Sequence, residues 1–173
     1  MMNPGSSRPS IEKNNDILMG SINQLVVSLV KSTPDRTQSQ VMRVMHYCGW
    51  QHVRVLNLSD MREPKCRSFV DRYRDIENRI GFSAHSLFSD NRSVECRRKL
   101  NRKPRAPIVC AWGVSPDLDP LIERCLNVLA GTAWLTGLKK PSTENKYFHP
   151  LPWSKMEQQK WVTNLVTIIN QGP

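Results

Sequence analysis

Pro107-Ile108-Val109-Cys110-Ala111-Trp112-Gly113 is a short, continuous apolar run that stops at a glycine. Such a run suits a strand covered on both faces, as in a parallel sheet. Beyond it, Asp117 or Asp119 is placed to cap a helix running to about Ala130. Thr132-Ala133-Trp134-Leu135-Thr136 then reads as a further strand that Gly137 releases. Upstream, Val53-Arg54-Val55-Leu56-Asn57-Leu58 is β-branched and apolar, a strand ending in polar residues. Helical spacing of apolar residues predicts helices from about Asp16 to Val30, Thr37 to Tyr47 and Arg67 to Ile80. Gly49 stands where a helix C-cap is expected, Gly81 to Asn91 reads as irregular, and Ser93 to Leu100 as a short basic helix. Strands alternating with helices, and no internal repeat, point to an α/β fold with a mostly parallel sheet and a single domain over residues 1–173.

A chain of 173 residues with an ordinary apolar fraction is large enough for one full core. Its apolar runs are too short to span a bilayer, and its opening residues do not read as a signal segment, so no membrane partner is expected. The formal net charge of +10 favours a polyanionic partner. Much of the excess lies in Arg97, Arg98, Lys99, Arg102, Lys103 and Arg105, which a solvated loop would equally explain. Five scattered cysteines without a C-x-x-C pair support neither a zinc ribbon nor an iron–sulfur cluster, and fit a reducing cytoplasm. Cys110 and Cys125 read as small core residues, and Trp50, Trp112 and Trp134 as core aromatics. His46, His52 and His85 read as surface residues.

Near the end stands Phe148-His149-Pro150-Leu151-Pro152-Trp153-Ser154. Two prolines fix the backbone and remove donors, so the loop presents one imidazole and one indole at little entropic cost. A Pro-rich turn with His149 satisfied by a carbonyl is the plainer reading. Ser154 is placed to cap a last helix to about Asn170, with Met156, Trp161, Leu165, Ile168 and Ile169 facing inward. In open parallel sheets, ligands gather beyond the carboxyl ends of the strands. Asn57, Trp112-Gly113 and the His149 loop all follow strands, and a strand ending at Met2 would bring Asn3 among them.

These residues carry a resemblance in chain order. Asn3-Pro4-Gly5 resembles the water-positioning motif of the uracil-DNA glycosylase superfamily, in the form used by its mismatch-specific and thymine-DNA glycosylase branch. His149-Pro150-Leu151-Pro152-Trp153-Ser154 matches the family's His-Pro-Ser-Pro-Leu-Ser motif at four of six positions. Val55-Leu56-Asn57 is similar to the strand whose terminal asparagine reads the base, and Ile108 to Gly113 to the central strand ending in Trp-Gly or Leu-Gly. A group of uncharacterised bacterial and phage proteins is similar in its Asn-Pro turn, its Gly-Trp before an Asn-ending strand, its Trp-Gly and its His-Pro-Leu.

The resemblance implies a three-layer α/β/α sandwich around a short, mostly parallel four-stranded sheet. It also implies a monofunctional DNA glycosylase that needs no metal or cofactor, with DNA as partner and a monomer expected. Asn3 would hold the attacking water and His149 would donate to the departing base. Pro4, Gly5, Asn57 and Gly113 would line the base site. Leu151, Trp153, Ser154 and Lys155 would supply the wedge and phosphate contacts. The residue types suit the chemistry: a flipped base leaves with negative charge that a fixed donor stabilises, and a wedge must be large and apolar. An amide is no general base at neutral pH, so such an enzyme leans on positioning and is slow. Glycine stands where strict uracil enzymes carry a tyrosine, leaving room for groups on the pyrimidine's fifth carbon, as in modified phage DNA. A defence role follows as an expectation. Asn57 as a plain strand-end turn residue, Trp153 as a core aromatic and Asn3 as a loose terminal residue are the alternatives. A catalytically silent DNA-binding protein, or a hydrolase of free nucleosides, would be the competing functions.

Overall fold

Side chains alternate between the two faces of a strand. Ile108, Cys110 and Trp112 enter one apolar core while Val109 and Ala111 enter another. The computed structural model describes residues 1–11, 18, 21–22 and 29–173. In chain order its elements are β1 (Arg8–Pro9), β2 (Ser32–Thr33), α1 (Arg36–Cys48), α2 (Cys66–Asp75), α3 (Ser93–Leu100), β3 (Ile108–Val109), α4 (Asp119–Leu129), β4 (Leu135–Thr136) and α5 (Lys155–Gln171). The helix expected from Asp16 to Val30 falls for the most part outside the described residues.

The fold is a mixture of helix and strand with two small sheets among the described residues. β3 and β4 pair in parallel, Ile108 opposite Leu135 and Val109 opposite Thr136. β1 and β2 pair antiparallel, which the sequence reading did not anticipate. The expected four-stranded sheet is therefore met by one regular parallel pair. Residues 53–58, expected as a strand, form no regular strand, and Leu58 is a bend. They still pair locally: the Met1 amino group donates to Leu56 O (3.0 Å) and Leu58 N–H donates to Met1 O (2.8 Å), the pattern of a parallel bridge. Met1 packs against the same core as Val109 and Ala111, and Met2 against the same core as Cys110 and Trp112.

One core takes Phe69, Val70 and Tyr73 of α2, Cys96 of α3, and Leu121, Ile122, Cys125 and Leu129 of α4. The other takes Val44 of α1 with Trp161, Val162, Leu165 and Ile169 of α5. Burial pushes the Cys110 and Cys125 thiols up to about 12, as core residues rather than nucleophiles. No helix among the described residues is long and apolar enough to cross a membrane.

Helix ends follow their sequence signals with one exception. Gly49 caps α1 in the left-handed region (φ 64°), and Ser154 opens α5 in a capping box with Glu157. α4, however, is preceded by a 3₁₀ turn (Pro116–Leu118) capped by Ser115, so neither Asp117 nor Asp119 is the cap. α2 continues as a π-helical turn (Ile76–Ile80) that stops at Gly81. Met156, expected inward, is exposed, because the first turn of α5 projects past the core. Trp112 is buried, whereas Trp50 and Trp134 are half-buried.

Gly137 sits at φ 151°, where a Cβ would press on the Cys110 carbonyl oxygen and lie 2.8 Å from Tyr147 Cδ1. Both neighbours are held in place, so the strain has no outlet. Gly137→Ala is expected to cost about 3 kcal/mol of stability, measured as a lowered midpoint in urea unfolding with unchanged slope.

Candidate functional site

The histidine loop is held carbonyl by carbonyl. Phe148 N–H donates to Leu138 O (2.8 Å), and Phe148 O accepts from Trp161 Nε1 (3.0 Å). The buried Gln40 amide donates to Pro150 O (3.1 Å) and Gln158 O (2.9 Å), while Gln158 Nε2 donates to Pro152 O (2.9 Å). With Pro150 itself fully buried, the loop has little freedom left.

That rigidity sets the tautomer of His149. Its Nδ1 accepts the Leu151 N–H (3.2 Å), so in the neutral ring Nε2 carries the proton. Burial, reinforced by the nearby Met1 amino group and opposed by Asp35, pulls the imidazole down to about 4. At neutral pH, His149 is an uncharged ring whose remaining polar atom is a donor.

The opening turn is equally ordered. Asn3 Oδ1 accepts the Gly5 N–H (3.1 Å) and Asn3 Nδ2 donates to Glu63 O (2.7 Å), so the amide's orientation is fixed and Asn3 is not a loose terminal residue. One lone pair on Oδ1 remains for a further donor. Gly5 takes φ 61°, in the left-handed region, and Ser7 N–H closes the turn on Pro4 O (3.3 Å).

A set of neighbours joins the two motifs. The Met1 amino group and the Asp35 carboxylate both act on His149. A Cβ on Gly5 would meet Asp35 Oδ2 at 3.1 Å. Asn57 lies opposite Met1 in the local parallel pairing, half-buried, with no side-chain hydrogen bond among the described residues. Gly113 N–H donates to Tyr147 O (2.9 Å), which sets the end of the central strand two residues from His149. Gly5 and His149 thus share Asp35 as a neighbour, Asn57 lies beside Met1, and Gly113 is bonded to the residue two before His149. Two shallow hollows on the described surface lie elsewhere, lined by Lys139 to Glu144 and by Pro34, Ser39, Met42, Arg43, His46 and Tyr47.

Trp153 is 101 % exposed, so it is not a core aromatic packed on α5. It stands at the foot of α5 beside exposed Ser154 and Lys155, with Leu151 half-buried behind it. Arg97, Arg98, Arg102, Lys103 and Arg105 are all exposed, from the end of α3 into the loop that follows it. Among the described residues, no cluster of histidine, cysteine and carboxylate side chains is placed to hold a metal ion.

Sequence reading missed Asp35, Gln40 and His85. Asp35 carries a signal, an aspartate three residues before Gln38, and the two form a capping box. Gln40 carries none, since its partners are more than a hundred residues away. His85 is buried rather than a surface residue. Its Nδ1 lies 2.9 Å from Ser59 Oγ and its Nε2 2.9 Å from Glu77 Oε1, and Glu77 takes a bidentate pair from Arg124 (2.8 and 3.1 Å). Burial lowers the His85 pKa against the pull of Glu77. The order serine–histidine–carboxylate has the connectivity of a hydrolytic triad, but Ser59 is fully enclosed and its Oγ accepts Met61 N–H (3.1 Å). The network fastens the loop that follows Asn57.

No family model matches the chain, and neither a curated protein nor a solved structure is significantly similar to it. The site is therefore read from its own geometry. Because burial depresses the His149 pKa, the ring stays neutral until pH falls through about 4. A ¹⁵N NMR titration should find the Nε2–H tautomer unchanged from pH 8 to 5; a His149 midpoint near its ordinary value would contradict this placement.

Proposed function

We propose that the chain is a DNA glycosylase that hydrolyses the N-glycosidic bond of a flipped-out pyrimidine and leaves an abasic site. The observation that carries this reading is the neutral His149, locked with its proton on Nε2 and sharing Asp35 as a neighbour with Gly5 of the Asn3 turn. A neutral donor strengthens its bond as negative charge grows on the departing base, at no cost in reorganisation. Asn3 Oδ1, oriented by Glu63 O and Gly5 N–H, is the acceptor for a water attacking the sugar. Nothing in this pair removes a proton strongly, so the rate comes from placement.

Asn57, with both amide faces free among the described residues, reads the base edge. Gly5 in place of a large side chain leaves room at the pyrimidine's fifth carbon. Trp153, wholly exposed on a proline-stiffened loop, is the wedge that fills the vacated stack. Lys155 and the exposed basic residues from Arg97 to Arg105 provide phosphate contacts. The same reading extends to the fold. Two cores on opposite faces of residues 108–112, Met1–Met2 bonded to 56–59, and Ile108–Val109 paired with Leu135–Thr136 fit a three-layer sandwich around a short sheet. The glycine vacancy favours 5-substituted pyrimidines, and with them a role against phage that carry modified DNA.

The test is release of base from duplexes carrying a single uracil, thymine mismatch, 5-hydroxymethylcytosine or glucosylated cytosine. Asn3→Ala and His149→Ala should each abolish abasic-site formation while leaving DNA binding within about tenfold, because phosphate contacts dominate affinity. Trp153→Ala should slow release from duplex more than from single strands. Firm binding with no abasic site on any substrate makes the chain a binding protein instead.

A further inference from the structure

The group that faces Gly5 is a carboxylate. The heavy atom nearest to where a Cβ on Gly5 would stand is Asp35 Oδ2, at 3.1 Å. The two oxygens of Asp35 have different duties. Oδ1 accepts the Gln38 N–H (2.9 Å) as the N-cap of α1, whereas Oδ2 has no hydrogen bond from any described residue. The cap also fixes where Oδ2 points, because Asp35 N–H donates to Gln38 Oε1 (3.1 Å) and Gln38 Nε2 donates to Ser7 Oγ (3.1 Å). α1 is thereby tied to the far end of the Asn3–Ser7 turn, and the carboxylate is carried to Gly5. Asp35 is also close enough to His149 to act on its charge.

We propose that Asp35 is a specificity-determining residue, whose free Oδ2 accepts a hydrogen bond from a donor group on the fifth carbon of the pyrimidine. The substrate class is then a 5-substituted pyrimidine bearing a hydroxyl or amino group, such as hydroxymethyl or a sugar hydroxyl attached through it. A methyl group in the same space would strip water from a carboxylate and return nothing. A hydroxymethyl group satisfies it with a charge-assisted bond. The inference rests on the glycosylase reading and adds to it the sign of the selection: room beside Gly5 alone would admit methyl and hydroxymethyl alike.

Asp35→Asn separates these possibilities. Asparagine is as good an N-cap as aspartate, so α1 is retained. Its Oδ1 must still accept Gln38 N–H, which turns Nδ2, a donor, toward the vacancy. Removing the charge also leaves His149 neutral, since Asp35 is what raises its pKa. Release would be timed on duplexes carrying uracil, thymine, 5-hydroxymethyluracil and 5-formyluracil, with helix content and melting followed by circular dichroism. The wild-type chain should prefer hydroxymethyl over methyl by roughly ten- to a hundredfold, the range of a charge-assisted hydrogen bond. In the variant that ratio should fall toward one, while 5-formyl, an acceptor, gains on hydroxymethyl relative to wild type.

Wild-type release with no preference for hydroxymethyl, or a variant that slows all four bases in proportion, would overturn the assignment of Asp35 and leave the glycosylase reading standing. The proportional result would instead mean that the carboxylate acts on the water or the sugar. Absence of release from every duplex by the wild-type chain would remove both. Should Asp35→Asn melt α1, Asp35→Ser keeps a cap and withdraws the reach, and the same ratio must fall.

Discussion

The buried side-chain amide of Gln40 is the contact on which the geometry of the site depends. It donates at once to Pro150 O in the histidine loop and to Gln158 O in α5, from a position in α1 that water does not reach. Three segments distant in sequence meet on one nitrogen. An apolar replacement would leave Pro150 O with no partner, at a cost of about 1–3 kcal/mol for a buried group, whereas Gln158 O keeps its bond within α5. More consequential than the energy is what the contact fixes. With Pro150 O anchored, the Leu151 N–H donates to His149 Nδ1, and the ring's tautomer follows from the backbone. The position of the His149 proton thus follows from a contact between two helices.

A second constraint works from the opposite side. Met1 and Met2 run beside residues 56–59 and send their side chains into different cores. This two-residue segment is the reason the Asn3 turn begins beside residues 56–59, with Asn57 across from Met1. On the far face, the Ser59–His85–Glu77–Arg124 chain of hydrogen bonds and charges ties down the loop leaving Asn57. Buried polar networks of this kind are costly to disturb and fix one arrangement when every member is satisfied.

How far the sequence is legible depends on the range of the interaction. Helices α1, α2, α3 and α5 could be read because apolar spacing and caps are local, as Gly49 and Ser154 illustrate. The parallel pair β3–β4 could be read from two apolar runs, although regular pairing covers only two residues of each. Residues 53–58 have strand composition but bond mainly to Met1 and Met2, so composition overstated their regularity. The α4 cap was misplaced because Ser115 sits before a proline and opens a 3₁₀ turn first. In the site, Asn3, Gly5, Asn57 and His149 were visible as residue types at strand ends and in rigid turns. Asp35, Gln40 and His85 were not, since their significance lies in partners that only the folded chain supplies. His85 shows the limit best: the residue alone says surface, and only Ser59 and Glu77 on either side of the ring say otherwise.

The most direct measurement is a crystal structure of the Asn3→Ala protein bound to a duplex with one 5-hydroxymethyluracil. The account predicts that base outside the helix, with a carbonyl oxygen about 3 Å from His149 Nε2, Asn57 on its edge and the Trp153 indole in the gap. A base still stacked in an unbroken duplex that lies along the basic residues from Arg97 to Arg105, away from His149, would contradict it.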